Sequence, residues 1–205
     1  SQMKSGAFYV DISTIDIGLA KELDTACLEK EVKFLGCPQG RTPVQAEKAE
    51  QPIYAGGKKE DYETMLPILE SMGKPVYVGN CEASYACKLI GNIIGIMFLT
   101  AISEGFKIAE KIGMDLELLY KSLEVSGATS AQLASRGHMI VKNDFTSSFN
   151  LELALKDIKL GCQMAEDTGV DARVVQLARD YFEKANKAGL GKEDCMAVYK
   201  VIESK

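Results

Sequence analysis

The sequence predicts a chain of two parts, a short α/β segment followed by an all-helical domain, and therefore a predominantly helical fold. Four short apolar stretches in the first 79 residues, each bounded by glycine, proline or polar residues, indicate strands. After Gly79 no stretch has the character of a strand, and apolar residues recur at helical spacing through the rest of the sequence. The predicted domains are residues 1–79 and 80–205.

In the first domain, predicted strands alternate with predicted helices. Ser13 and Thr14 precede one helical stretch and are predicted to cap it. Pro67 lies inside another and is predicted to kink or divide it. The predicted strands are 7–12, 32–36, 52–55 and 75–78, and the predicted helical segments are 15–30, 45–51 and 59–72.

The second domain is predicted to consist of helices alone. Its first helix, a long interdomain helix at about 81–112, is expected to be buried on every side because apolar residues occur all around it. Gly113 and Gly169 are predicted to end helices. The remaining predicted helices are 116–125, 131–141, 151–168, 173–188 and 192–203.

Lys88 and Asn92 interrupt the apolar pattern of the long helix. They lie four residues apart and therefore on one face, and Ser84 extends this polar stripe by a further turn. Burying a lysine is unfavourable unless the ammonium meets a partner or water. From the spacing alone two interpretations stay open: a functional polar stripe, or a lysine that snorkels to solvent above a structural asparagine.

Composition disfavours several classes of protein. The 205 residues carry a net charge of −5 and no basic stripe, which argues against nucleic-acid binding. The six cysteines form no CxxC pair and there is one histidine, so we expect no zinc site. We recognise no signal peptide, and Asn92 and glycines interrupt the apolar run, so we expect a cytoplasmic protein with reduced thiols and no membrane span.

The first domain has too few strands for a complete parallel sheet. Four short strands leave one edge and one face uncovered, and the sequence begins almost on a strand. This arrangement resembles the second half of a doubly wound dinucleotide-binding domain, a Rossmann domain. No GxGxxG motif occurs, so the residues alone reveal no phosphate-binding loop. We therefore expect a truncated chain that lacks the first half of such a domain.

Five short motifs, in order along nearly the whole chain, resemble the 3-hydroxyisobutyrate dehydrogenase family, the β-hydroxyacid dehydrogenases related to 6-phosphogluconate dehydrogenase. Each motif alone is weak, whereas the ordered set is specific. The motifs are Asp11-Ile12-Ser13-Thr14-Ile15 (the family's DxST), Phe34-Leu35-Gly36-Cys37-Pro38 (its FLDAPVSGG), Tyr54-Ala55-Gly56-Gly57 with residues 69–74, Lys88 with Asn92 (its KxxxN), and Phe149 with Lys156-Asp157 (its F…KD).

The resemblance implies an oxidoreductase that transfers a hydride between NAD or NADP and a small 3-hydroxy acid. It implies Lys88 as the catalytic residue, Asn92 as a substrate-binding residue, and Ser13, Thr14 and Lys156 beside the cofactor. It also implies a homo-oligomer built through the helical domain. Because family members hold the cofactor's phosphates with a glycine-rich loop, the truncated chain alone is expected to bind cofactor weakly and to be inactive.

One segment departs from the family pattern. Where members carry Ser-Gly-Gly to bind the substrate carboxylate, this chain has Gly40-Arg41-Thr42. Arg41 either binds an anionic substrate group through its planar guanidinium or points to solvent. Two further functions stay open: reduction of a small aldehyde acid such as succinic semialdehyde or glyoxylate, and a noncatalytic helical oligomerisation module.

Overall fold

The structure, a computed structural model, describes residues 3–203. The chain divides into two compact units between Gly91 and Asn92. This division lies within the longest helix, whereas the sequence predicts a boundary at residue 79, before that helix begins. The predicted fold class is confirmed, because a small four-stranded sheet precedes an all-helical part.

The first unit contains a mixed sheet with strand order β1-β2-β3-β4. β1 and β2 are parallel, as are β3 and β4, while β2 and β3 are antiparallel. The elements are β1 (Phe8–Asp11), α1 (Ile17–Leu28), β2 (Lys33–Gly36), α2 (Pro43–Glu47), β3 (Pro52–Gly57), α3 (Lys59–Met72), β4 (Lys74–Gly79) and the beginning of α4 (Cys81–Lys111).

Helices cover both faces of this sheet, so the expectation of one uncovered face is wrong. On one face Leu35, Ile53 and Ala55 pack with Leu69 of α3. On the other, Phe34 packs with Ala20 of α1 and with Cys81 and Tyr85 of α4. Burial of these apolar side chains stabilises the unit, and it fixes the first turns of α4 against the sheet.

The predicted start of the first helix is wrong in detail. Helix α1 begins at Ile17, and its N-cap is Asp16, whose carboxylate accepts a hydrogen bond from the Leu19 amide at 2.8 Å. Ser13 and Thr14 therefore lie in the segment between β1 and α1. Pro67 lies inside α3 without dividing it.

The second unit is helical throughout its described residues. The rest of α4 packs with α5 (Leu116–Glu124), α6 (Ala131–Lys142), α7 (Leu151–Asp167), α8 (Arg173–Lys187) and a 3₁₀ helix (Cys195–Val201). The predicted α-helix at 192–203 is thus wrong in type and length. Asp194 is the N-cap of the 3₁₀ helix and accepts a hydrogen bond from the Met196 amide.

Helix α4 is buried on one side only, so the expectation of burial on every side is wrong. Leu89, Ile93, Ile96 and Leu99 are buried, whereas Phe98 on another face is 47% exposed. Its 31 residues and its most apolar window, with a mean hydropathy of 1.7, meet the criterion for a membrane-spanning helix. Core helices of soluble proteins meet the same criterion, so this finding is weak evidence for a membrane.

Close packing joins α7 to α4 within the second unit. A Cβ on Gly161 of α7 would lie 2.1 Å from Ile93 Cγ2. Because carbon atoms cannot approach so closely, glycine is required at this crossing. The close approach brings the residues one turn before Gly161 next to Asn92, the neighbour of Ile93.

Candidate active site

The polar side chains of the five family motifs are divided between the two units. Helix α4 carries two of these side chains, Lys88 and Asn92. Lys88 lies in the first unit and Asn92, one helical turn later, in the second.

Lys88 is buried, with 8% of its surface exposed. This burial disfavours the alternative in which the side chain snorkels to solvent. Ser84, the third member of the predicted stripe, is fully buried, and its hydroxyl donates to the Cys81 carbonyl of its own helix at 2.7 Å. The Ser84 hydroxyl therefore satisfies a backbone carbonyl of its own helix. The candidate catalytic group of this unit is Lys88.

The segment after β1 is anchored by Asp11, which is 8% exposed. Asp11 Oδ2 accepts a hydrogen bond from the Tyr85 hydroxyl at 2.5 Å, and Oδ1 accepts one from the Ser13 hydroxyl at 2.9 Å. Burial raises the pKa of Tyr85 well above its ordinary value, and the bond to Asp11 acts in the same direction, so Tyr85 is a protonated donor. Ser13 is exposed and Thr14 half-buried.

These residues lie where parallel strands end. Asp11 of β1 is in register with Gly36 of β2, so the carboxyl ends of both strands meet at one edge. Ligands of open α/β sheets bind outside the carboxyl ends of the strands. The positions of Ser13 and Thr14 therefore suit residues that contact a bound molecule.

Gly40, Arg41 and Thr42 form the connection between β2 and α2. Arg41 is exposed and has a left-handed backbone with φ of 64°. Thr42 caps α2, with its hydroxyl 2.5 Å from Gln45 Oε1. Burial raises the pKa of Tyr54, Cys87 acts in the same direction, and the Arg41 charge opposes both. Arg41 and Cys87, the residue before Lys88, thus both lie near Tyr54.

In the second unit, Asn92 and Asp157 form a hydrogen bond that the sequence analysis did not anticipate. Asn92 Nδ2 donates to Asp157 Oδ2 at 2.6 Å, and Asp157 is 4% exposed. The ammonium of Lys156 lies 3.3 Å from Asp157 Oδ1, an ion pair that does not have hydrogen-bond geometry. Asp157 Oδ1 thus retains capacity to accept a hydrogen bond from a bound hydroxyl or water.

The other residues that the sequence analysis considered lie outside the polar contacts described above. His138 is half-buried on α6. Among residues 3–203 we find no group of three or more histidine, cysteine, aspartate or glutamate side chains able to hold a metal ion. The Asp11–Tyr85 contact escaped the sequence analysis because its partners lie 74 residues apart and neither shows a periodic signal.

Two family models match the chain. Residues 1–84 match the NAD-binding domain of 6-phosphogluconate dehydrogenase, and residues 83–202 match the NAD-binding region of NADP-dependent 3-hydroxyisobutyrate dehydrogenase. Together they extend over nearly all of the sequence.

Three curated relatives span almost the whole chain. Glyoxylate/succinic semialdehyde reductase 1 of Arabidopsis thaliana is 28% identical over 98% of this chain and 70% of its own length. The chloroplastic reductase 2 of the same plant is 26% identical over 98% and 57%, respectively. 2-(Hydroxymethyl)glutarate dehydrogenase of Eubacterium barkeri is 27% identical over 99% and 68%. The chain thus corresponds to between 57% and 70% of these relatives.

Solved structures agree in fold. The Mycobacterium tuberculosis 3-hydroxyisobutyrate dehydrogenase has a TM-score of 0.91 at 23% identity, covering 98% of this chain and 72% of that one. The Salmonella typhimurium 3-hydroxyisobutyrate dehydrogenase has a TM-score of 0.89 at 24% identity, covering 98% and 71%. At these identities the likeness concerns the fold. By its two matched family models and its full set of motifs, the chain belongs to the 3-hydroxyisobutyrate dehydrogenase family of NAD(P)-dependent hydroxyacid dehydrogenases.

Proposed function

We propose that this chain supplies the catalytic and substrate-binding residues of an NAD(P)-dependent oxidoreductase acting on a small 3-hydroxy acid. The burial of Lys88 on a largely apolar helix is the observation that carries the proposal. A buried ammonium is costly, so a lysine retained there is a candidate functional group.

The proposed chemistry assigns the proton of the substrate hydroxyl to Lys88. Oxidation of an alcohol to a carbonyl requires a base that takes the hydroxyl proton at hydrogen-bond distance. Neutral Lys88 Nζ takes this proton in the oxidation, and the ammonium returns it to the developing alkoxide in the reduction. The nicotinamide cofactor of the family accepts or supplies the hydride.

Asn92 and Asp157 are assigned to substrate positioning. The hydrogen bond from Asn92 Nδ2 to Asp157 Oδ2 holds the plane of the Asn92 amide, so that amide is prearranged to bind a substrate hydroxyl or carboxylate. The open acceptor capacity of Asp157 Oδ1 supports contact with a hydroxyl-bearing ligand in the second unit. Asp157 therefore joins Asn92 in the proposal.

The residues of the first unit fit the nicotinamide end of a dinucleotide. Ser13 and Thr14 offer hydroxyls at the carboxyl edge of two parallel strands, and the Asp11 carboxylate orients the Ser13 hydroxyl. The proposal assigns these two residues, together with Lys156 of the second unit, to the cofactor. Arg41, Gly40 and Thr42 are assigned to the acid group of the substrate.

A second substrate class is a small aldehyde acid. Two of the relatives are named glyoxylate/succinic semialdehyde reductases, and another is named for a hydroxymethyl dicarboxylic acid. Reduction of an aldehyde uses the same groups in the opposite direction. An exposed arginine at position 41, in place of a glycine, favours substrates that carry a carboxylate.

The proposal is tested by activity in a fusion protein. The part of the Arabidopsis reductase 1 that this chain does not match is joined to the 205-residue chain as a fusion protein, and 3-hydroxyisobutyrate, succinic semialdehyde and glyoxylate are assayed with both cofactors. We expect Lys88→Met to lower kcat by about 10²-fold or more, as loss of a general acid/base does. Lys107→Met, which removes another α4 lysine that pairs with Glu110, is the matched control.

Three outcomes decide between the alternatives. Selective loss of turnover in the Lys88 variant supports the enzyme. Equal turnover in both lysine variants would show that Lys88 is not the acid/base. A folded fusion that binds cofactor but turns over none of the acids would favour the noncatalytic module.

We also propose that the protein forms a homo-oligomer through its helical unit. An apolar stripe runs along α4 at helical spacing and is 41–65% exposed at its large residues, Ile94, Phe98 and Ile108. Ile112, directly after the end of the helix, extends it and is 74% exposed. Ala101 and Gly105, also exposed, lie between them on the same face. A continuous apolar stripe of this kind marks a protein–protein contact, and a second copy would bury both stripes together.

A further inference from the structure

Tyr85 joins the end of β1 to helix α4, and the proposed mechanism gives it no role. Its ring belongs to the core cluster that contains Phe34 and Ala20, and it is 1% exposed. Its hydroxyl donates to Asp11 Oδ2 at 2.5 Å. A bond to a carboxylate in such a setting is short, strong and directional.

The neighbouring strand leaves space for this ring. A Cβ on Gly36, at the end of β2, would lie 2.6 Å from Tyr85 Cε2 and 2.6 Å from Ser84 Oγ. Both distances are shorter than van der Waals contact. Glycine at position 36 thus lets the first turns of α4 approach the sheet closely enough for the hydroxyl to reach Asp11.

The two oxygens of the Asp11 carboxylate serve two different segments. Oδ2 accepts from Tyr85, while Oδ1 accepts from Ser13, in the segment assigned to the cofactor. Lys88 lies three residues after Tyr85, so the two side chains project from the same face of α4. One carboxylate thus connects the Ser13-Thr14 segment with the helical turn that carries Lys88.

We propose that the Tyr85–Asp11 hydrogen bond is a positioning device that holds Lys88 in register with the Ser13-Thr14 segment. Tyr85 acts through Asp11 and α4 and is a positioning residue, not a catalytic one. The inference rests on the proposed function for the role of Lys88. The physical reason is that a general acid/base acts only when its nitrogen is held within hydrogen-bond distance of the reacting oxygen.

Tyr85→Phe tests the device, because phenylalanine keeps the ring in its pocket and removes only the hydroxyl. In the fusion protein we expect kcat to fall about tenfold or more, as a small misplacement of reacting groups does. We expect the substrate KM to change less than about threefold, since the acid-binding residues stay in place. Asp11→Asn keeps an acceptor for Tyr85 and should retain more activity than Asp11→Ala.

Tyr77→Phe is the matched control. Tyr77 lies in the same unit, and its hydroxyl donates to the Gly57 carbonyl at 3.0 Å, away from the Asp11 segment. Tyr77→Phe removes one hydroxyl hydrogen bond, as Tyr85→Phe does. A purely structural role predicts that the two variants share the same loss of thermal stability and the same unchanged kcat.

Hydrogen exchange of the 205-residue chain itself gives a readout independent of activity. We expect Tyr85→Phe to speed amide exchange about tenfold or more in the peptide covering residues 12–16, while Tyr77→Phe leaves that peptide unchanged. Equal exchange in both variants would overturn the positioning role, whatever the fusion protein does. If Tyr85→Phe and Tyr77→Phe share the same kcat while Lys88→Met abolishes turnover, the positioning role fails and the proposed function stands.

Discussion

At the scale of single residues, Arg41 occupies a backbone conformation that favours glycine. Its φ of 64° lies in the left-handed region, where a side chain with a Cβ costs roughly 1–2 kcal/mol. By the resemblance described above, the family segment has a glycine at this position. Because Arg41 is exposed, packing against neighbouring side chains does not account for its strained backbone.

The strain of Arg41 predicts that Arg41→Gly stabilises the chain. We expect the free energy of unfolding to rise by about 1 kcal/mol, because glycine adopts a positive φ without steric cost. Arg41→Ala keeps the strain and should leave stability within about 0.5 kcal/mol of the parent, as surface substitutions usually do. Urea denaturation of the three chains measures the difference, and a destabilised Arg41→Gly chain would show that the arginine side chain supports the fold.

The same two variants test the substrate role of Arg41. If its guanidinium binds the acid group, both Arg41→Gly and Arg41→Ala should raise the KM of the fusion protein far more than they lower kcat. Methyl esters should then lose their disadvantage against the free acids. An unchanged KM for every acid, in both variants, would identify Arg41 as a surface residue.

At the scale of elements, Asp194 joins α6 and the segment before α7 to the 3₁₀ helix. Its carboxylate, fully buried, accepts from Arg136 Nε at 2.9 Å and from the amides of Ser148, Phe149 and Met196. Burial alone would raise the pKa of Asp194, but the Arg136 charge and these donors outweigh it and hold the pKa below its usual range. The ionised form is therefore part of the fold.

Asp194→Asn should destabilise the second unit. We expect the free energy of unfolding at pH 7 to fall by about 3 kcal/mol, because the change leaves the Arg136 guanidinium buried without its counter-ion. Asp171→Asn is the matched control: Asp171 pairs with Arg173 at 65% and 84% side-chain exposure, and such pairs contribute about 0–1 kcal/mol. Equal effects of the two changes would contradict the role of the buried pair.

The stabilisation that ionised Asp194 contributes should decrease as the pH falls. Since the folded-state pKa of Asp194 is lowered, its contribution is fully present above the unfolded pKa of about 3.9 and is lost as the pH falls below that value. The stability difference between the parent and Asp194→Asn should therefore be largest at neutral pH and shrink between about pH 4 and pH 2. Chemical denaturation at several pH values measures it, and a difference that stays constant would contradict the lowered pKa.

Comparison of the predicted and observed helices and strands shows which features of the fold the sequence can predict. Hydrophobic spacing predicted the order of strands and helices, because the 3.6-residue and two-residue periods are local properties. The start of α1 was misplaced because Asp16, rather than Ser13 or Thr14, provides the capping oxygen. The 3₁₀ type and the bounds of the last helix were not predicted, because Asp194, held by Arg136 58 residues away, caps it directly before Cys195. Lys88 was predictable as a polar interruption, whereas the Tyr85–Asp11 hydrogen bond depends on tertiary contact.

At the scale of the whole molecule, the exposed stripe of α4 is the proposed contact surface between copies of the chain. The sequence predicted burial all around this helix, and in the monomer only one side is buried. Burial of the other side in an oligomer would reconcile the apolar composition with the structure. A stripe of Ile94, Phe98, Ile108 and Ile112 with small residues between them allows two helices to approach closely.

Phe98→Glu should convert the oligomer to a monomer. Phe98 is 47% exposed and is the largest side chain of the stripe, so a charge there would be desolvated in an oligomer while it stays in water in the monomer. Leu177→Glu on α8, where the leucine is 53% exposed, is the matched control for an added surface charge. Light scattering coupled to size exclusion should give a monomer mass for Phe98→Glu and an oligomer mass for the parent chain and for Leu177→Glu. Because Phe98 has its exposed face outside the core, circular dichroism should be unchanged. A monomeric parent chain, or an oligomer that survives Phe98→Glu, would show that the stripe is not the contact surface.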